Sequence, residues 1–247
     1  MVNINDVYQT VLTIANKDNR GYITPEEYNR LADIAQNEIF ESYFNKQLMY
    51  EAGGLYNADF SDPIITTAEK INIFYNSSDL TQSNGTWAFP ADFYKLGSVQ
   101  VNSIEADFVS HRDVKFINQS PLTYPVATQP VYTIVGSAVR IYPGTITSGV
   151  NIEYLKKPSE PKWGYIMPTA LQIASGVPNK PIYDSTVFNP ATDSYTATAK
   201  SLNFELHTSE YSELVYKILT LAGVTIKQAD IAGFAQGKEQ QIQATEQ

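Results

Sequence analysis

The hydrophobic period of the chain changes twice along its length, and that alternation restricts the fold more than any single motif does. Over residues 1–52 apolar positions recur at helical spacing. From Gly53 to about His207 they alternate one by one, with Pro and Gly punctuation, and after Phe204 the helical spacing returns. A chain written this way predicts an α+β protein in which helices from both chain ends form a scaffold carrying a β-rich central insertion. The scaffold is expected over 1–76 and 208–247 and the insertion over 77–207, together a single unit of 247 residues. A chain of that length buries roughly 70% of its unfolded surface, so a substantial core is expected.

Val7, Tyr8, Val11, Leu12 and Ala15 make one apolar stripe, which predicts a short amphipathic helix behind an Asn5 cap. A second helix is predicted from Thr24-Pro25-Glu26-Glu27. There Thr caps, Pro takes the first helical position, and the Glu three residues on completes a capping box. Leu31, Ala35, Ile39, Tyr43 and Phe44 carry its stripe as far as Gly53-Gly54. Such a helix, of about 26 residues, would be roughly 39 Å long, unusual in a compact domain. In the middle, short helices are expected near 67–75 and 111–118, and Asn84-Gly85 and Gly136-Ser137 predict hairpin turns between alternating segments. Ile152 and Tyr154 predict another strand, stopped by Pro158, and the polar stretch 175–200 reads as an exposed excursion or hairpin. Leu214, Val215, Ile218, Leu219 and Ala222 predict a further helix ending at Gly223, with Glu210 and Glu213 near its positive end.

Chemistry is sparsely signalled. The absence of cysteine removes disulfides, thiolate metal sites and cysteine nucleophiles. Only His111 and His207 are present, neither beside a metal-binding or triad pattern, and Gly53-Gly54 lacks the Lys-Ser or Lys-Thr of a phosphate loop. The carboxylate pairs Glu26-Glu27 and Asp59 with Asp62 lie in a helix's first turn and in a polar loop. These features predict no enzyme, no catalytic residue and no cofactor. Residues 16–27, NKDNRGYITPEE, imitate a calcium loop, with Asn16, Asp18 and Glu27 at positions 1, 3 and 12 and Gly21 at position 6. A neutral Asn at position 1 and the guanidinium of Arg20 at position 5 oppose a divalent cation, so the stretch is read as an interhelical turn without metal.

Seventeen Lys and Arg against 26 Asp and Glu give a net charge of -9, with no segregated basic patch to hold a phosphate backbone. Charged residues make up only 17% of the chain while tyrosines number 17, so much of the surface is neutral and aromatic, which suits contacts with proteins. No apolar run approaches the roughly 20 residues that span a bilayer. The first 20 residues lack the basic start of a secretory signal, so the chain is expected to stay where it is made, without a membrane partner. The last segment offers chiefly Ile226, Ile231 and Phe234 as apolar positions, while Gly233 and Gly237 weaken helix. It is expected to be an assembly element that buries those three residues against a partner.

Four stretches occur in a telling order: ITPEEYNRLADIAQNEIFESYF (23–44), FPADFYKLGSV (89–99), VYTIVGSAVRIYPG followed by NIEYLKKPSEPKW (131–163), and FELHTSEYSELVYKILTLAGV (204–224). In that order the chain resembles the head-to-tail connector proteins of tailed bacteriophages, most closely the ring or adaptor proteins of crAss-like podophages. The resemblance implies a non-enzymatic virion structural protein, made in the host cytoplasm and placed at the head-tail junction. It implies copies of the chain in a closed ring, with portal protein and another tail or ring protein as partners, and DNA passing through without specific binding. From the residues themselves a second reading stands beside it: a β-rich carbohydrate-binding or host-adhesion tail protein, in which Trp87, Trp163 and the many tyrosines stack on sugars.

Overall fold

A computed structural model of the chain describes residues 1–17, 23–53, 63–168, 170–176, 178–187, 200–225 and 240. In chain order, helices α1 (Ile4–Lys17), α2 (Pro25–Gly53) and α3 (Pro63–Asn72) precede strands β1 (Tyr75–Leu80), β2 (Gln82–Ser83), β3 (Thr86–Ala88), β4 (Phe93–Val101), β5 (Ile104–Glu105) and β6 (Asp107–Phe108). Helix α4 (Val114–Gln119) is followed by β7 (Val131–Val135), β8 (Ala138–Tyr142), β9 (Val150–Lys156) and β10 (Tyr165–Ile166). Helix α5 (Ala170–Ala174), β11 (Ile182–Tyr183) and α6 (Tyr211–Thr225) complete the series. The architecture mixes helices with several sheets and is rich in strands. It divides into two compact units, Met1–Ile73 with Pro158–Gln247, and Phe74–Lys157.

In the first unit α6 packs on α1 and α2, and α3 packs on α2. The cap of α1 is Asn3 rather than the expected Asn5: Asn3 Oδ1 accepts from the N–H groups of Asn5 (2.8 Å) and Asp6 (3.4 Å). The reason is that the buried stripe starts earlier than its sequence pattern suggests, at Ile4, and continues through Val7, Tyr8, Val11 and Ala15. The expected capping box at α2 forms. Thr24 Oγ1 accepts from the Glu27 N–H (3.3 Å), and Glu27 Oε2 accepts from the Thr24 N–H (3.0 Å). The buried face of α2 is rotated from the expected one, with Tyr28, Ala32, Gln36 and Phe40 joining Ala35, Ile39 and Tyr43, while Leu31 and Phe44 are only half-buried. A helix with neighbours on more than one side buries a wider stripe than one row. Helix α6 buries Leu214, Val215, Ile218, Leu219 and Ala222 as expected but runs through Gly223 to Thr225.

The two buried carboxylates at the start of α6 need a cation, and α3 brings one. Glu210, 2% exposed, pairs with Lys70 Nζ at 2.5 Å and accepts from Ser209 Oγ at 3.1 Å, while Glu213 is buried beside it. Burial raises the Glu210 pKa, but the Lys70 hydrogen bond and charge, with Glu213 and Ser209, leave it lowered overall.

Extended chain from 158 onward, expected to belong with the β-rich middle, groups with the helices because polar side chains of α2 hold it. Gln36 Nε2 donates to Ser159 O (2.8 Å) and its Oε1 accepts from the Glu205 N–H (3.0 Å). Lys162 and Leu202 exchange backbone hydrogen bonds at 2.9 and 2.7 Å. At the chain start, Val2 bridges Phe204 and the Ile4 N–H donates to Asn203 Oδ1 (3.1 Å).

In the second unit a four-stranded sheet of order β1-β9-β4-β5 and a five-stranded sheet of order β2-β3-β8-β7-β6 share one apolar core. Leu80, Val99, Val101, Val150, Ile152 and Tyr154 come from the first sheet, and Trp87, Tyr132, Val139 and Ile141 from the second. Period-two alternation is the cause: along β9, Val150, Ile152 and Tyr154 point inward between half-buried neighbours. Asn84 and Gly85, with φ of 53° and 77°, make the doubly left-handed turn expected between β2 and β3. Between β7 and β8 positive φ falls on Gly136 alone, at 61°. A third tight turn, Asn102-Ser103 with φ of 49° and 67°, joins β4 to β5 without a glycine to signal it. In FPADF, Phe89 and Phe93 stack at 4.0 Å, and Asp92 Oδ1 accepts from Tyr154 Oη at 3.0 Å. Burial first, and then Asp92, raise the Tyr154 pKa.

Candidate functional site

The residues of the calcium-loop lookalike divide. Glu27 serves the capping box, where Thr24 donates from both its backbone N–H and its hydroxyl, and these bonds lower the Glu27 pKa. The Asn16 side chain and the whole of Asp18 lie outside the described residues, as do Ile226, Ile231 and Phe234 of the expected partner segment and the pair Asp59 and Asp62. Among the described residues no group of three or more His, Asp or Glu is arranged to hold a metal ion. His207 caps the turn before α6 by accepting from the Ser209 N–H at 3.2 Å, and His111 is exposed. Among the described residues no helix is long and apolar enough to cross a membrane.

Trp87 and Trp163 are 1% and 2% exposed, so neither presents a ring to solvent. Trp163 instead anchors an excursion of the first unit. Its ring meets Tyr8 at 4.4 Å, Tyr183 at 5.6 Å and Tyr165 at 5.9 Å, and Nε1 donates to Asn5 Oδ1 at 3.1 Å. Asn29 grips the Trp163 backbone twice, accepting its N–H (2.7 Å) and donating to its carbonyl (3.3 Å). Just beyond, Asp184 N–H donates to Gly164 O (2.9 Å), and Ser201 Oγ accepts from the Gly164 N–H (2.9 Å) while donating to Asp184 O. The Asp184 carboxylate accepts from the Thr186 N–H and hydroxyl and from the Lys200 N–H. These bonds, Thr186's first, lower its pKa.

From this tied base projects a two-stranded hairpin in which Ile166 pairs directly with Ile182. Both are exposed, as are Met167, Ile173 and Val187. A protein exposes single hydrophobic residues routinely, but several on one anchored appendage point to a contact surface.

A second excursion leaves the five-stranded sheet between β6 and β7. Val114 of α4 is buried, and Ser110 Oγ donates to Asp113 Oδ2 at 2.7 Å in the turn before that helix. Pro121, Pro125 and Pro130 stiffen the loop that follows, and the Gln129 N–H closes a turn on Val126 O at 2.9 Å. Phe116 is 66% exposed and Leu122 95%, with Phe108, Tyr124 and Val126 also exposed. No charged side chain occurs from 116 to 139. Exposed aromatic and aliphatic side chains without charge are the composition of an interface centre.

The sequence marks 175–200 as an exposed excursion or hairpin, and β11 and the exposed Ile182 and Val187 lie there, but the contact surface was expected at the chain's last segment and not at either excursion. The charge-free run 116–139 was legible in the letters, whereas the exposure of its side chains depends on the sheet edge from which it departs. The two apolar excursions, one in each unit, are the candidate contact sites. No protein-family model matches the chain, and no curated protein matches it.

Proposed function

We propose that the protein is a non-enzymatic virion structural protein that forms a ring between portal and tail, as a head-to-tail connector or adaptor. The observation that carries this reading is the pair of anchored excursions, each exposing large apolar side chains. A ring closed by rotation needs two different faces per subunit, and one chain here offers two candidates. The ordered resemblance of 23–44, 89–99, 131–163 and 204–224 to phage connector proteins supports the same reading. On it, α1, α2 and α6 form a helical scaffold drawn from both chain ends, and the strands of Phe74–Lys157 form the β-rich insertion. The 29-residue α2 gives the subunit a stiff rod along which neighbours can align.

On this reading, portal protein and another tail or ring protein bind above and below, no cofactor is needed, and DNA passes a wall whose net charge of -9 does not hold it. The protein is made in the host cytoplasm and resides at the head-tail junction. The adhesion alternative draws no support from its two tryptophans, which are buried. Electron microscopy of the particle that contains this chain is expected to show a ring at the portal vertex, and the chain is expected to copurify with portal protein. Density for the chain at the tail tip, with saturable glycan binding by the purified protein, would replace the ring with the adhesion reading.

A further inference from the structure

We propose that the uncharged excursion around Leu122 of one copy docks on the hairpin face around Ile182 of a second copy. The proposal rests on the ring reading and names the surfaces of its subunit contact. Electrostatics selects them. Every copy carries a net charge of -9, so copies repel wherever acidic surfaces oppose one another. The stretches 116–139 and 163–179 contain no charged side chain. The charges that flank Ile182 in sequence are Lys180 and Asp184, whose carboxylate already accepts from Thr186 and Lys200, so two copies meet there without opposing a free carboxylate.

Area selects them as well. Phe108, Phe116, Leu122, Tyr124 and Val126 leave on the order of 500 Å² of surface open, and Ile166, Met167, Ile173, Ile182 and Val187 leave a similar amount. One side of a standard protein interface covers about 800 Å², a little over half of it apolar, so each excursion supplies roughly the apolar part that one side requires. Both surfaces are also held in advance. Three prolines and the Val126–Gln129 turn fix one, and the Gly164, Asp184 and Ser201 bonds fix the base of the other, so little ordering entropy opposes docking. Because the two surfaces differ, each copy uses one of them toward each neighbour, and the contact propagates head to tail instead of pairing like with like.

The cysteine-free chain makes this testable on the full-length protein. Leu122→Cys and Ile182→Cys variants, mixed and treated with a short bismaleimide, are expected to give about tenfold more covalent dimer than either variant alone, since only the mixture pairs unlike surfaces. The reagent tolerates more offset than a disulfide, which needs Cα atoms within about 7 Å. Leu122→Asp and Ile182→Asp are each expected to weaken self-association by about tenfold or more in sedimentation, with unchanged circular dichroism. Equal cross-linking of Leu122→Cys with itself, or no cross-link in the mixture, would overturn the proposal. A ring at the portal vertex together with unlinked 122 and 182 would defeat this contact and leave the ring reading standing. Absence of the chain from that vertex would defeat the ring reading whatever the cross-links show.

Discussion

In the sandwich unit, tight turns at Asn84-Gly85, Asn102-Ser103 and Gly136 join strands that pair with one another, and the side chains that meet inside are apolar. In the helical unit α1, α2 and α6 also bury apolar side chains, but amide hydrogen bonds and an ion pair between partners far apart in sequence add to that closure. Asn29 and Trp163 are separated by 134 positions, Gln36 and Glu205 by 169, and Ile4 and Asn203 by 199. The two kinds of closure fail differently. Trimming an apolar core loses contact in proportion to the atoms removed, whereas removing one partner of a buried polar pair strands the other without a hydrogen bond. The helical unit should therefore be the more brittle of the two.

The sharpest break is Lys70→Met, which leaves Glu210 buried without its cation. It is expected to cost about 3–5 kcal/mol in denaturant unfolding. The same pair sets an acid limit. The folded pKa of Glu210 is lowered from the ordinary 4.5, so its stabilisation is present above that value and is lost as pH falls through the lower folded one. Melting temperature should fall in that window, and Glu210→Gln should flatten the fall. Matching profiles for parent and variant would show that the pair does not govern the unit's stability. Next in size is Gly164→Ala, whose new Cβ would land on Lys200 O, in a backbone already at φ 73°, for an expected loss of about 3 kcal/mol.

Asn29→Ala strands the Trp163 N–H and carbonyl and should cost about 2 kcal/mol, read from the shift in the urea midpoint. In the sandwich, Gly85→Val meets no neighbouring atom, so only its φ of 77° opposes the change, at about 1–2 kcal/mol. Helical circular dichroism should survive that loss, and its disappearance in the same step would show that the units unfold together. The smallest expected effect is none: calcium should leave the melting temperature unchanged, because Glu27 is committed to Thr24. A saturable rise abolished by Glu27→Gln would reverse that assignment.

What could be read in advance follows the same division. The Thr24-Glu27 capping box, the Asn84-Gly85 turn, the β9 alternation and the α6 stripe each depend on residues close in sequence, and each formed as expected. The bond of the Ile4 N–H to Asn203, the burial of Gln36 and the docking of 158–163 on α2 depend on partners more than a hundred residues away. Local spacing carries no record of those partners. Of the candidate site, the charge-free letters of 116–139 were visible, but whether Leu122 lies in a core or in solvent is decided by tertiary structure.

The bond from Ile4 to Asn203 spans 199 positions, and Thr10 Oγ1 meets Tyr211 Oη at 2.6 Å across 201. On a translating ribosome that separation becomes waiting time. At roughly 5–20 residues per second, the interval between making the first partner and the second is roughly 10–40 s. The stretch 74–157 contains its own strand partners and can close during that interval, while the inner faces of α1 and α2 stay open until α6 is made. Nascent chains stalled after residue 200 should accordingly show 74–157 resistant to protease and 1–73 still cleaved. The β-sandwich would thus be the first part to fold, and the helices that precede it in the chain would close after it.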